Sequence, residues 1–90
     1  MRLTWDEAKR QQALVERKLD FADAAEVFEG ITHTFEDTRR IYPERRFVTV
    51  GFLRGRLVVL VSTPRGNGAH IISMRKANAR EQRLYQKKVG

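Results

Sequence analysis

Apolar positions change their period once along the chain. From Ala8 to Phe28 they recur at helical spacing, and from Ile31 onward they alternate as strands do. Ala8, Leu14, Val15 and Leu19 form a thin stripe that predicts a first helix over roughly residues 7–18, with Glu7, Arg10, Glu16 and Arg17 toward water. Asp6 stands where an N-cap belongs, and Trp5 just before it is expected on the core. Phe21, Ala24, Ala25 and Phe28 predict a second helix from Phe21 to Glu29, capped by Asp20 and ended by Gly30.

Ile31 to Phe35 alternates as a strand with one apolar face, and Glu36 to Glu44, holding Asp37, Arg39, Arg40 and Pro43, reads as a loop. Phe47–Leu53 and Arg56–Ser62 flank Arg54-Gly55, a two-residue hairpin turn. Leu57-Val58-Val59-Leu60-Val61 is apolar on both faces and belongs in the middle of the sheet. Pro64 to Gly68 reads as another turn, followed by a last strand, Ala69 to Met74, with His70, Ile72 and Met74 on one face. Asn78 and Glu81 form a capping box for a C-terminal helix over roughly residues 79–88. Its apolar stripe is poor, whereas Arg80, Arg83 and Lys87 line one side, so it needs the sheet or a partner to hold it. The expected architecture is a single α+β domain over residues 1–90, with two N-terminal helices, a four-stranded antiparallel sheet and a C-terminal helix, the helices covering one face.

Composition adds a partner class. The 90 residues hold 18 Lys+Arg against 11 Asp+Glu, a net charge of +7. Residues 1–29 sum to −2, 30–74 to +4 and 75–90 to +5, and 13 of the 18 cations are Arg. Guanidinium groups grip phosphate through two hydrogen bonds and stack on bases, so the balance points to a polyanion; a merely solvated basic face, or an acidic protein partner, is the plain alternative. The absence of cysteine removes disulfides, thiol catalysis and Cys-based zinc sites. Two His without nearby carboxylates at ligand spacing point away from a metal site, and no cofactor is expected. No apolar run approaches the roughly 20 residues of a membrane span, and Met1-Arg2-Leu3-Thr4-Trp5-Asp6 is not a signal peptide, so the expected compartment is the cytoplasm, without membrane contact. A core this small is marginal alone, and a partner that binds the folded form would add stability.

RNA cleavage fits the residues that remain. The substrate carries its own nucleophile, the ribose 2′-OH, so a protein need only hold the phosphate, spread its developing charge over guanidiniums and lend a modest acid or base. Antiparallel pairing is expected to set Arg65 beside His70, which titrates near neutral pH. The same pairing sends Arg75 toward the other end of the sheet, near Arg54 to Arg56, where Lys76, Arg80 and Arg83 add a separate basic surface. His33, between Ile31 and Phe35, reads as structural. Tyr42 and Tyr85 are of a type that stacks bases, though each is more often a packing residue.

A set of short motifs carries a family resemblance nearly end to end. They are Trp5-Asp6, Phe21-x-x-Ala24-x-x-Val27-Phe28, Glu44-Arg45-Arg46-Phe47-x-x-Val50-Gly51 and Thr63-x-Arg65-Gly66. The most specific stretch is Ile71-Ile72-Ser73-Met74-Arg75-Lys76-Ala77 followed by Arg80-Glu81-x-x-Leu84-Tyr85. In their order and spacing the chain resembles the BrnT family of ribonuclease toxins from bacterial type II toxin-antitoxin systems. The resemblance implies a RelE-like fold, a metal-independent endoribonuclease that arrests translation, and a BrnA-type antitoxin in a hetero-oligomer that meets operator DNA only through the antitoxin. By the same resemblance Arg65 and Arg75 are the first choices for catalysis; His70, a third catalytic candidate, rests on its pairing with Arg65 alone. Lys76, Arg80, Arg83 and Tyr85 are secondary, through RNA contacts or through holding the last helix. Three positions depart from the family pattern. Glu16-Arg17-Lys18 stands where Lys-His-Gly is usual, Pro64 replaces an acidic residue and His70 replaces an Arg. Arg17 and Lys18 then keep positive charge at the helix hairpin for RNA, or the site has decayed. The competing class is a non-catalytic basic module that binds nucleic acid or docks an acidic partner.

Overall fold

The computed structural model describes residues 1–89. Its elements run β1 (Leu3–Trp5), α1 (Glu7–Arg17), a 3₁₀ turn (Phe21–Asp23), α2 (Ala24–Glu29), β2 (Thr32–Glu36), β3 (Phe47–Leu53), β4 (Arg56–Arg65), β5 (Gly68–Lys76) and α3 (Ala79–Val89). The sheet has the order β1-β5-β4-β3-β2, with β1 parallel to β5 and the other neighbours antiparallel. The α+β class agrees with the sequence reading, but the sheet has five strands and is mixed. The added strand is Leu3–Trp5, three residues long and too short to show a period. Its place is set by β5: Leu3, Thr4 and Trp5 face Ala69, His70 and Ile71, and the Ala69 amide donates to the Arg2 carbonyl at 2.9 Å.

The N-terminal helices form as their caps dictate. Asp6 accepts from the Lys9 amide at 3.1 Å, and Lys18 ends α1 in the left-handed region at φ 60°. Asp20 accepts from the Ala22 amide at 2.9 Å, but it caps a 3₁₀ turn that leads into a six-residue α2 rather than one continuous helix. The Arg54-Gly55 turn has positive φ at both residues, 49° and 82°, the geometry a right-twisted hairpin prefers.

The second hairpin differs from expectation. β4 continues through Pro64 and Arg65, and only Gly66-Asn67 forms the turn. Proline is tolerated there because β3 stops pairing at Phe47 and Ser62, so that edge of β4 has no ladder bond to lose. A bulge in β5 makes Ile72 an extra residue, with Val61 facing Ser73 and Ser62 facing Ile71. Ile71 and Met74 therefore share a core, and His70 turns to the opposite face, away from Met74.

The helices lie on both faces of the sheet, not on one. Val58 and Leu60 pack with Leu19, Phe21, Ala24, Val27, Ile71 and Met74 beneath α1 and α2, whereas Leu57 and Val59 pack with Val48, Val50, Ala77 and Val89 beneath α3. The capping box closes as expected, with Glu81 and Asn78 exchanging bonds of 2.9 and 2.8 Å. Val89 and Tyr85 bury enough to seat an otherwise polar helix.

Gly68 tests the place of β1. A Cβ at this position would overlap the Arg2 carbonyl. Gly68→Ala is expected to lower stability by about 2 kcal/mol, read from urea unfolding, with loss of hydrogen-exchange protection at the Ala69 amide. Unchanged stability and protection would mean that β1 is dispensable.

Candidate active site

α3 crosses only part of its face of the sheet. Beside it lies an open concavity of about 540 Å³, floored by Val48, Val50, Val59 and Val61, walled by Phe35 and Tyr85, and bordered by Ser73, Arg75, Glu81 and the Glu36–Arg39 segment. Two guanidiniums from unrelated elements reach it. Arg75, opposite Val59 near the end of β5, forks onto Glu81 with bonds of 2.7 and 2.8 Å. Arg75 holds the Glu81 carboxyl down at about 2, against the ordinary 4.5. Arg39, in the loop after β2, forks onto Asp37 with bonds of 2.9 and 3.0 Å.

Asp37 is the organiser of that loop. Only 6% exposed, it also accepts from the Arg39 amide and from the Tyr42 hydroxyl, and these bonds, the Arg39 fork foremost, hold its carboxyl well below the usual range. Tyr42 in turn lies under the Arg46 guanidinium, 4.2 Å from ring centre to Cζ. Tyr42 is therefore a packing residue of the loop. Arg39 and Arg75 both line the concavity, each already paired with a carboxylate, and the Arg39 charge acts weakly on Arg75 across it.

Arg65 and His70 lie elsewhere on the same face. The Arg65 Nη1 donates to His70 Nδ1 at 3.1 Å, and Thr4 Oγ1 meets the same nitrogen at 2.8 Å. A guanidinium only donates, so the Arg65 bond is made by the tautomer that carries its hydrogen on Nε2. Burial, and then the Arg65 charge, push the His70 pKa below 6.5. A groove of about 240 Å³ lined by Arg2, Thr4, Arg65, Gly66 and Asn67 adjoins the pair. Along β4 the Arg65 row lies six residues from the Arg75 row, about 20 Å at strand rise.

The structure thus joins Arg65 to His70, and joins Arg75 to Tyr85 and Arg39, but does not bring Arg65, His70 and Arg75 into one concavity. Arg17 lies on the α1 side, its Nη1 donating to the Met74 carbonyl at 3.1 Å, and it lines a groove of about 280 Å³ with Lys9, Gln12 and Phe21. Lys18 turns back onto the Val15 carbonyl. Lys76, Arg80 and Arg83 are exposed and outside the concavity, and His33 packs against both Phe35 and Tyr85. Arg39 is the residue the sequence reading missed as a site residue. Its signal was the Asp-x-Arg spacing of Asp37 and Arg39 inside a loop.

These features define a small basic α+β protein with paired guanidiniums over a nucleotide-sized concavity. The chain belongs to the BrnT family: the model for the ribonuclease toxin BrnT of type II toxin-antitoxin systems matches residues 5–81. The family brings with it an RNA target and an antitoxin partner. No curated protein matches the chain significantly. Among the described residues no helix is long and apolar enough to cross a membrane.

The shifted groups set two pH windows. His70, depressed below 6.5, binds its proton more readily when unfolded, so its contribution is complete above pH 6.5 and is lost as pH falls below it. Glu81, at about 2, contributes fully above pH 4.5 and loses that contribution toward pH 2. Urea unfolding as a function of pH should show His70→Gln flattening the upper window and Glu81→Gln the lower one. A Glu81→Gln profile parallel to the parent's below pH 4.5 would deny the Arg75 pairing.

Proposed function

We propose that the chain is an endoribonuclease that cuts RNA in the α3-side concavity, without a metal ion, by attack of the ribose 2′-oxygen on the adjacent phosphorus. The P–O5′ bond breaks as the new bond forms, the 2′-hydroxyl proton passing to water and the 5′-oxygen taking one from water, to leave a 2′,3′-cyclic phosphate and a 5′-hydroxyl. Arg75 and Arg39 hold the phosphate and stabilise the charge that develops on its oxygens. The observation that carries this reading is the convergence of those two forks in one concavity on a chain of this family.

Arg65 and His70 take a different role from Arg75 in this reading. About 20 Å of strand separates their rows, which exceeds the spacing of neighbouring phosphates, so Arg65 anchors the RNA backbone several nucleotides from the cut. His70 is held neutral with Nδ1 engaged, which suits a positioning residue for Arg65 better than a proton shuttle. Arg17, Lys18, Lys76, Arg80 and Arg83 add long-range attraction for RNA without touching the reacting phosphate. Cleavage of messages would arrest translation in the cytoplasm, with a BrnA-type antitoxin as inhibitor and as the route to operator DNA.

The competing reading, a basic docking module, draws support from Glu36, Asp37 and Glu81, which outnumber the two concavity arginines. Incubating the purified chain with RNA and a chelator separates the two. The expected products end in 2′,3′-cyclic phosphate. Salt-sensitive binding without products would favour the docking module, and 5′-phosphate ends made only with divalent cations would overturn the mechanism. Arg75→Ala should lower kcat by about 10²-fold or more. Arg65→Ala should mainly raise KM and reduce the salt dependence of binding by about one counterion. Equal effects on kcat from both substitutions would place them at one phosphate after all.

A further inference from the structure

We propose that Phe35 is the floor of a nucleobase subsite, so that the concavity selects single-stranded RNA by taking one unpaired base against this ring. The inference rests on the placement of the reacting phosphate at Arg75 and Arg39 and deepens it by naming the form of the substrate. Phe35 sits on β2, the edge strand, yet it is 39% exposed and lines the concavity. Its ring is held rather than free. It lies 6.3 Å from Tyr85 at an interplanar angle of 14°, and His33 stands 5.8 and 5.5 Å from the two rings. A ring fixed on one side by such contacts and open on the other is a stacking platform that needs no further ordering when a base arrives.

The walls match a nucleotide in order as well as in kind. Phe35, Val48, Val61 and Ser73 stand in one row across β2, β3, β4 and β5. Three strand spacings, about 14 Å, separate the phenyl wall from the strand that carries Arg75. Less the reach of the ring and the guanidinium, that is the span from a nucleobase to its phosphate. An apolar floor lies between them. A ligand that is flat and apolar at one end and anionic at the other fits this layout, and RNA offers that face only where a base is unstacked and unpaired.

The test uses the purified chain and a 2′-O-methyl oligonucleotide, which cannot be cleaved, carrying 2-aminopurine, as a single strand and as a hairpin stem. Anisotropy should give at least tenfold tighter binding of the single strand, with the 2-aminopurine fluorescence quenched on binding. Phe35→Leu should weaken single-strand binding about tenfold and relieve the quench, while Phe35→Trp retains both. An abasic site in place of the 2-aminopurine should cost the parent chain the same factor and cost Phe35→Leu almost nothing. Thermal melts of each variant report folding. Binding that needs Arg75 and Arg39 but ignores Phe35 overturns the base subsite alone. Binding indifferent to all three overturns the placement of the phosphate and the subsite with it. Loss of antitoxin capture in Phe35→Leu with RNA affinity intact would make the ring a protein-docking residue and would also overturn the proposal.

Discussion

The structure depends on one strand being unable to face water on either side. Leu57, Val58, Val59 and Leu60 are all at most 5% exposed, and each contributes about 2 kcal/mol by leaving water. Helices must therefore cover both faces of β4. α1 and α2 precede β2 to β5 in the chain and take one face, which leaves the other to α3. At 11 residues α3 is about 16 Å long, and it cannot roof a five-stranded sheet. The uncovered part over Val48 and Val61 is the concavity. Core physics and site geometry thus share a cause: a doubly apolar strand with one short helix to finish the second layer.

The concavity achieves orientation at some expense of charge. Of the five N–H groups of a guanidinium, Arg39 gives two to Asp37, and Arg75 gives two to Glu81 and one, at 3.5 Å, to the Lys76 carbonyl, so three and two remain free. The paired forks are held in place before the ligand arrives, and ordering them costs little on binding. Their charge is nonetheless largely offset locally by Asp37 and Glu81. Long-range attraction must then come from cations that lie outside the concavity and form no ion pair among the described residues, such as Arg65, Arg80, Arg83 and Lys87. On the proposed function, recognition near the phosphate and steering from afar fall to different arginines, which is why a count of basic residues could not separate them.

The helices, the β3–β4 hairpin and the Asn78–Glu81 box could be read from the chain because each is a local matter of period, turn chemistry or capping. The features that the sequence reading missed were set by partners distant along the chain. β1 exists because Ala69 offers an amide to Arg2 across a position where only glycine fits. The two-sided roof was implied by Leu57 to Val61, and the poor stripe of the last helix concealed it, since a few residues, Val89 and Tyr85 among them, suffice to seat α3. The Arg65 and His70 pairing followed from simple antiparallel register. Arg39 did not, because a loop arginine has no period and acquires its place from Asp37, Tyr42 and the packing of Arg46.

The bulge at Ile72 gives the sheet its functional polarity. Were β5 regular over the same sequence, His70 would share a face with Met74 and lie on the side opposite to Arg75. With the bulge, Thr4, His70 and Arg65 face the same side as Arg75. The α1 side is thereby left to close-packed Phe21, Ala24 and Val27, and most of the chemistry-bearing side chains collect on the other. On the proposed function, an inhibitor need cover only that one face to block both the concavity and the Arg65 anchor. A bulge in one strand, by reversing which side chains point up, sets Arg65, His70 and Arg75 on one side, where the groups proposed to bind phosphate can be occupied, or shut off, together.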